Sequence, residues 1–246
     1  MKMPNTLESL MRRARTVLRA TTIDLVRFHP RSHLLARRMR LLESHNINLI
    51  FDVGANRGQY ASQMRTLGYR GRIVSFEPLS EAYAELRRRS SRDRAWQTVR
   101  CALGDAAGKA TINVSGNSES SSLLPMLERH RRSAPQSDYI GTEAIEVDTL
   151  ESAIATHVRS GEQLFVKLDA QGYERRIIDG ARTALDRVRG LQVEMSLIPL
   201  YDGELLLCEM VQLLASRGFI LMSLEPGHSD PSSGQLLQTD GIFYRE

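Results

Sequence analysis

The chain has 246 residues, 41% of them apolar and 25% charged, which suits one α/β domain with an appendage and excludes a disordered polymer. Its two cysteines, Cys101 and Cys208, lack C-x-x-C spacing, which argues against a disulfide-framed secreted module and points to a reduced, cytoplasmic setting. The net charge is +4; no apolar run reaches the length of a bilayer span, and the first residues lack the apolar stretch of a signal peptide.

Residues 1–45 carry ten basic residues against three acidic ones, a local +7 that leaves about −3 for the remainder. From about 5 to 45 the pattern predicts two or three helices, with Leu7, Leu10, Met11, Ala14, Val17, Leu18 and Leu25 at helical spacing between arginines. His29-Pro30 breaks the pattern, and Ser32 is placed to cap the next helix. Three readings are open for this helical extension. It packs on the following domain with its arginines solvated, it lies peripherally on an anionic membrane or glycolipid surface, or it forms part of a lid or a homodimer contact. Nucleic acid is not expected as a partner, because aromatics are not interleaved with the arginines.

The domain proper, residues 46–246, opens with the apolar run Leu49-Ile50-Phe51, then Asp52-Val53, a loop with Gly54 and Gly58, and a helical pattern through Tyr60, Met64 and Leu67. That order reads as buried strand, tight loop, helix, the place where an open α/β sheet binds a nucleotide-like ligand. The middle glycine of a G-x-G-x-x-G fingerprint is absent, and Asp52 at the loop would repel phosphate. The loop therefore suits a cationic, phosphate-free ligand, and S-adenosylmethionine meets that description. A second strand, Ile73 to Phe76, ends in Glu77, whose carboxylate can accept both hydroxyls of a ribose. Gly54, Asn56, Gly58 and Gln59 are the expected contacts to the methionine end. The bland alternative is an ordinary strand-to-helix turn.

A helix from about Ser80 ends in Arg87-Arg88-Arg89, basic residues that offset the helix dipole without a partner. A third strand is expected from Gln97 to Leu103. Ala102 and Leu103 then line an adenine pocket with Asp105 on the adenine amino group, or Gly104-Asp105 is only a turn before a strand from Lys109 to Val114. Residues 115–143 read as a polar loop with a short helix from Leu123 to Arg131. Its serines either bind a hydroxylated acceptor or are solvated. A strand from Glu143 to Val147 is followed by a helix with Asp148 as N-cap.

Gln163 to Asp169 is the fourth main strand, and its loop, Asp169-Ala-Gln-Gly-Tyr-Glu174, should lie beside the first strand's loop. Lys167 shares its facing with Asp169 by period-two alternation, so an ion pair between them is possible. The fifth strand, Gly190 to Ser196, carries Glu194 in an apolar context, an acid that is either functional or paired with an arginine. A helix to Arg217 and strands Phe219–Leu224 and Gly241–Arg245 close the chain, the two strands pairing antiparallel at one sheet edge. His228, in the loop between them, reads as a solvated residue.

Phe51-Asp-Val-Gly-Ala-Asn-Arg-Gly58, Phe76-Glu-Pro78, Ala102-Leu-Gly-Asp105, Val166-Lys-Leu-Asp-Ala-Gln-Gly-Tyr-Glu174, Leu200-Tyr-Asp-Gly-Glu204 and Asp240-Gly-Ile-Phe243 occur in the family's order over about 48–245. In these stretches the chain resembles the FkbM-type methyltransferases. The resemblance implies a Rossmann-like seven-stranded sheet, mostly parallel with the last strand antiparallel, and S-adenosylmethionine-dependent O-methylation. Where Gln171 stands, that family often has glutamate. Ser120-Ser-Ser-Leu123 with Pro125-Met-Leu127 is similar to actinobacterial members that methylate sugar hydroxyls of glycolipids or polysaccharides. A sugar hydroxyl is a poor nucleophile, so a base or a metal should assist. Asp169 and Glu194 are the candidates, as base or as oxygen ligands to Mg²⁺. Two rivals remain: a non-catalytic binding or scaffold protein of the same fold, and an NAD-dependent oxidoreductase.

Overall fold

Strands β1 (Leu49–Val53) and β7 (Leu164–Leu168) are buried at every residue. A strand covered on both faces needs an unbroken apolar run, which Leu49-Ile50-Phe51 and Leu164-Phe165-Val166 supply. The two pair in parallel, Leu49 opposite Leu164 and Val53 opposite Leu168. β2 (Arg72–Phe76) and β3 (Trp96–Val99) continue the parallel sheet on one side, and β8 (Val188–Ser196) extends it on the other. β10 (Gln238–Tyr244) then runs antiparallel between β8 and β9 (Ile220–Pro226). The order is β3-β2-β1-β7-β8-β10-β9, a seven-stranded α/β sheet with the last strand reversed, as expected. Helices Gln59–Thr66 and Ser80–Ser90 follow β1 and β2.

A second sheet, absent from the sequence reading, has the order β4-β6-β5, with β4 (Ala102–Gly104), β5 (Gly108–Ser115) and β6 (Tyr139–Thr149). The expected third strand is thus broken. After Val99 the chain leaves the main sheet, Arg100 reaches Glu143 at 2.9 Å, and Ala102–Gly104 pairs with Val147–Thr149. β6 is longer than Glu143–Val147 because β5 pairs along nearly all of it. The helix expected at Leu123–Arg131 lies instead at Glu128–Ser133. Met126 is drawn into a β-bridge with Tyr201 and packs with Leu200 and Leu237, which keeps this stretch extended. The cap expected of Asp148 falls one residue later. Thr149 accepts from the Ser152 N–H at 3.1 Å, while Asp148 accepts from the Thr149 N–H and the Ser152 hydroxyl.

The computed structural model describes residues 13–16, 18, 21 and 24–245. The chain divides into two units, Met1–Leu41 and Leu42–Glu246. Of the first, residues 13–16 and 18 are helical and Arg15 pairs with Asp24 at 3.0 Å. Leu7, Leu10, Met11 and Val17, on which the helical spacing there relies, lie outside the described residues. A helix begins at Leu34, but Ser32 does not cap it as expected. Its hydroxyl donates backwards to the Arg27 carbonyl at 2.9 Å. Among the described residues no helix is long and apolar enough to cross a membrane.

Candidate active site

The loops after β1 and β7 meet because their strands are parallel neighbours. The Asp169 N–H donates to the Val53 carbonyl at 3.2 Å, and the Gly54 and Ala55 N–H groups donate to the Phe76 carbonyl. A β-carbon at Gly54, where φ is +72°, would sit 1.8 Å from the Asp169 carbonyl oxygen. This glycine is therefore required by backbone approaching backbone, as well as by its left-handed angle. Gly58, with φ of +84°, initiates the helix; a β-carbon there would meet Leu86 and Trp96 at 2.9 Å, so it answers to packing.

A cavity with about 580 Å³ of empty space, counting the part open to solvent, lies over these loops. Phe76, Leu79, Leu103, Ile112, Tyr173 and Ile177 give it an apolar end. Gly54, Asn56, Glu77, Ala102 and Asp169 also line it, as the sequence reading required. Ser118, Ser121 and Ser122 close it from the polar loop, now a strap across the opening. The strap is fastened on both sides. Asn56 donates to the Ser118 hydroxyl at 3.2 Å and Gln59 to Glu119 at 3.0 Å, while Ser122 donates to the Gln171 carbonyl at 2.7 Å.

Four expected cofactor contacts are placed elsewhere. Asp52 is fully buried within β1, accepting from the Ser75 hydroxyl at 3.1 Å and facing the Lys167 ammonium at 3.6 Å, so it supports the loop from beneath. Gly58 packs, and Gln59 holds the strap. Asp105 turns out to Arg176 at 2.8 Å and does not line the cavity, whose end there is apolar. Sequence reasoning overlooked Tyr173 on the cavity wall and Tyr201 behind it, although both lie in stretches it had singled out.

Glu77 is 4% exposed and lines the cavity. Its oxygens accept the Asn56 N–H at 2.8 Å and the Leu79 N–H at 2.9 Å. Burial pushes this carboxyl up to about 7 against those two bonds. A chain of polar groups runs inward from the cavity wall at Asp169 and Gln171. Lys167 donates to Asp169 at 3.0 Å, and Gln171 donates to both Asp169 and Glu194 at 2.8 Å. Gln238 donates to Glu194 at 2.8 Å. The partner of Glu194 is therefore a pair of amides rather than an arginine. Burial, then Asp169, Asp240 and Glu174, raise the Glu194 carboxyl well above the ordinary range. Burial alone would lower the Lys167 ammonium, but Asp169 and Asp52 outweigh it and raise it, so it stays charged. His228 is not a free loop residue. Its Nε2 lies 3.1 Å from the Ser133 hydroxyl and its ring stacks on His130.

A reversed last strand, a glycine loop after β1 and a buried glutamate after β2 together define an S-adenosylmethionine-dependent methyltransferase domain. The family described as "Methyltransferase FkbM domain" matches residues 52–221, and the chain belongs to that family. No curated protein matches the chain. Among solved structures it is similar to a precorrin-6y C5,15-methyltransferase from Geobacter metallireducens (11% identity, TM-score 0.43, 81% of each chain covered). It is also similar to TehB from Haemophilus influenzae (7%, 0.46, 85% of this chain and 61% of that one). An rRNA methylase from Streptococcus thermophilus is at the same level (11%, 0.43, 83% and 96%).

Proposed function

We propose that the protein transfers the methyl group of S-adenosylmethionine to a hydroxyl oxygen, the acceptor being a sugar of a glycolipid or polysaccharide. The observation that carries this reading is Asp169, a carboxylate on the cavity wall held by the Lys167 ammonium at 3.0 Å. The residues fit the cofactor. Apolar Phe76, Leu79, Ala102 and Leu103 suit a purine, Glu77 suits a ribose diol, and Gly54 with Asn56 leaves room for an amino-acid end beside Asp169. When bound, S-adenosylmethionine supplies an electrophilic methyl carbon on a sulfonium. The protein's part is alignment and one proton. Asp169 accepts the proton of the attacking hydroxyl, and Lys167, donating to its Oδ2, holds that carboxylate in place.

Mg²⁺ does not fit this donor set. Among the described residues no three His, Cys, Asp or Glu side chains converge on one point. Amide N–H groups already occupy Asp169 Oδ1 and Glu194 Oε2. The N-terminal unit supports peripheral contact with an anionic membrane carrying the acceptor: Leu25, Val26 and Phe28 are exposed beside arginines.

Calorimetry with S-adenosylmethionine and S-adenosylhomocysteine, with and without Mg²⁺, is the test. Micromolar binding, indifferent to Mg²⁺, is expected. Asp169→Ala should then abolish transfer to saccharides while binding the cofactor as the parent does. Binding of NADH but neither of these ligands would favour the oxidoreductase; no binding at all would favour a scaffold.

A further inference from the structure

The most constrained side chain near the cavity is the one whose charge differs from what the family resemblance leads one to expect. Gln171 is 9% exposed, and every polar atom of its side chain is engaged. One amide hydrogen goes to Asp169 Oδ1 and the other to Glu194 Oε2, each at 2.8 Å, while its Oε1 accepts from the Tyr201 hydroxyl at 2.7 Å. The amide orientation follows from its partners: turning it over would set its oxygen against the Asp169 carboxylate and remove the acceptor of the Tyr201 hydroxyl. Its backbone is held equally firmly. It has φ of +53°, costly for a residue with a β-carbon, and its carbonyl accepts from Ser122 of the strap. The same Tyr201 hydroxyl lies 3.2 Å from the Ser120 carbonyl, which shares its one hydrogen as the more distant acceptor, so the group that orients the amide also touches the strap.

We propose that Gln171 is the positioning residue for Asp169: an uncharged double donor wedged between two acids, which fixes the direction of the Asp169 carboxylate toward the cavity and couples it to the closed strap. This rests on the reading of Asp169 as the proton acceptor. Three features fit the assignment. An amide supplies both acids with a hydrogen and adds no negative charge of its own. Lys167 holds the other Asp169 oxygen, Oδ2, so the two donors together leave the carboxylate no rotational freedom. The strained backbone persists where the surroundings over-determine it, as at functional sites.

The test is a double-mutant cycle in the full chain. Radiolabelled methyl transfer from S-adenosylmethionine is measured to a mixture of simple methyl glycosides (glucoside, mannoside, galactoside and rhamnoside). Q171M keeps the length of the side chain and removes both donors. Its kcat should fall by about 10–100-fold, with cofactor Kd within about threefold of the parent. D169N should lose more than about 100-fold, and the double variant should be no slower than D169N within about threefold, because a residue acting through Asp169 has nothing left to position. Should Q171M not fold, Q171N carries the test. It keeps the amide one methylene short of spanning both acids, and should show the same loss and the same non-additivity. Parental kcat in Q171M alongside an impaired D169N overturns the proposal and leaves the base reading standing. So do losses that multiply in the double variant, since they place Gln171 on an independent, structural path. Full turnover in D169N, or no transfer by the parent to any glycoside, overturns the reading on which the proposal rests, and the proposal with it.

Discussion

Glu77 offers a measurement in which pH and affinity are bound together. Its carboxyl is pushed up to about 7 by burial from an ordinary value of 4.5. Ribose hydroxyls donate hydrogens and therefore favour the ionised form. Cofactor binding must then release a proton at low pH, and the parent should bind about tenfold more weakly at pH 6 than at pH 8 through this group. Hydrogen bonds to a charged acceptor are worth roughly 1.5–3 kcal/mol each. Replacing the carboxylate in E77Q should cost about 3 kcal/mol of binding at pH 8, roughly 100-fold in Kd. Stability of the free protein has the opposite slope. Because the folded-state value is raised, the contribution of Glu77 is fully present below pH 4.5 and is lost as pH rises through 7, on the order of 3 kcal/mol in all. E77Q should lack that slope. Calorimetry from pH 6 to 8, read as parent minus variant to cancel titration of the ligand itself, gives the binding side; denaturant melts give the other. An E77Q protein that binds within threefold of the parent at pH 8, or a difference curve flat across that range, refutes the assignment.

Gly54→Ala would place a β-carbon 1.8 Å from the Asp169 carbonyl at φ of +72°. A loss of more than about 3 kcal/mol is expected, lowering Tm in a calorimetric scan by about 10 °C. Lys167→Met leaves Asp52 buried with only the Ser75 hydroxyl, and chemical denaturation should register a loss of about 3–5 kcal/mol. Asp105→Ala removes an exposed pair with Arg176, so stability should change by less than about 1 kcal/mol and cofactor Kd by less than about twofold. A large loss of affinity there would return Asp105 to the adenine end.

The central sheet was legible because its signals are local. The apolar runs at Leu49 and Leu164 each lead into a glycine-containing loop and then a helix, and each strand lies where the sequence places it. What escaped depended on partners far along the chain. The facing of Asp52 has no periodic signal inside a strand buried on both sides; Ser75 and Lys167 decide it. Asp105 was drawn away by Arg176, and Glu194 was satisfied by Gln238, neither foreseeable from its neighbours. The break between β3 and β4 is imposed by β6, whose matching residues begin at Val147. Gln171 was in view, but was weighed for the charge it lacks; its value as a double donor appears only once Tyr201 and Glu194 stand around it.

The contact between Gly54 and the Asp169 carbonyl has a mechanical consequence. The glycine loop after β1 and the mount of Asp169 are one joint, closed by main chain rather than by side chains. Thermal motion or a distant substitution that moves one loop carries the other with it. The separation between the glycine loop and the Asp169 backbone is therefore inherited from the spacing of two adjacent strands.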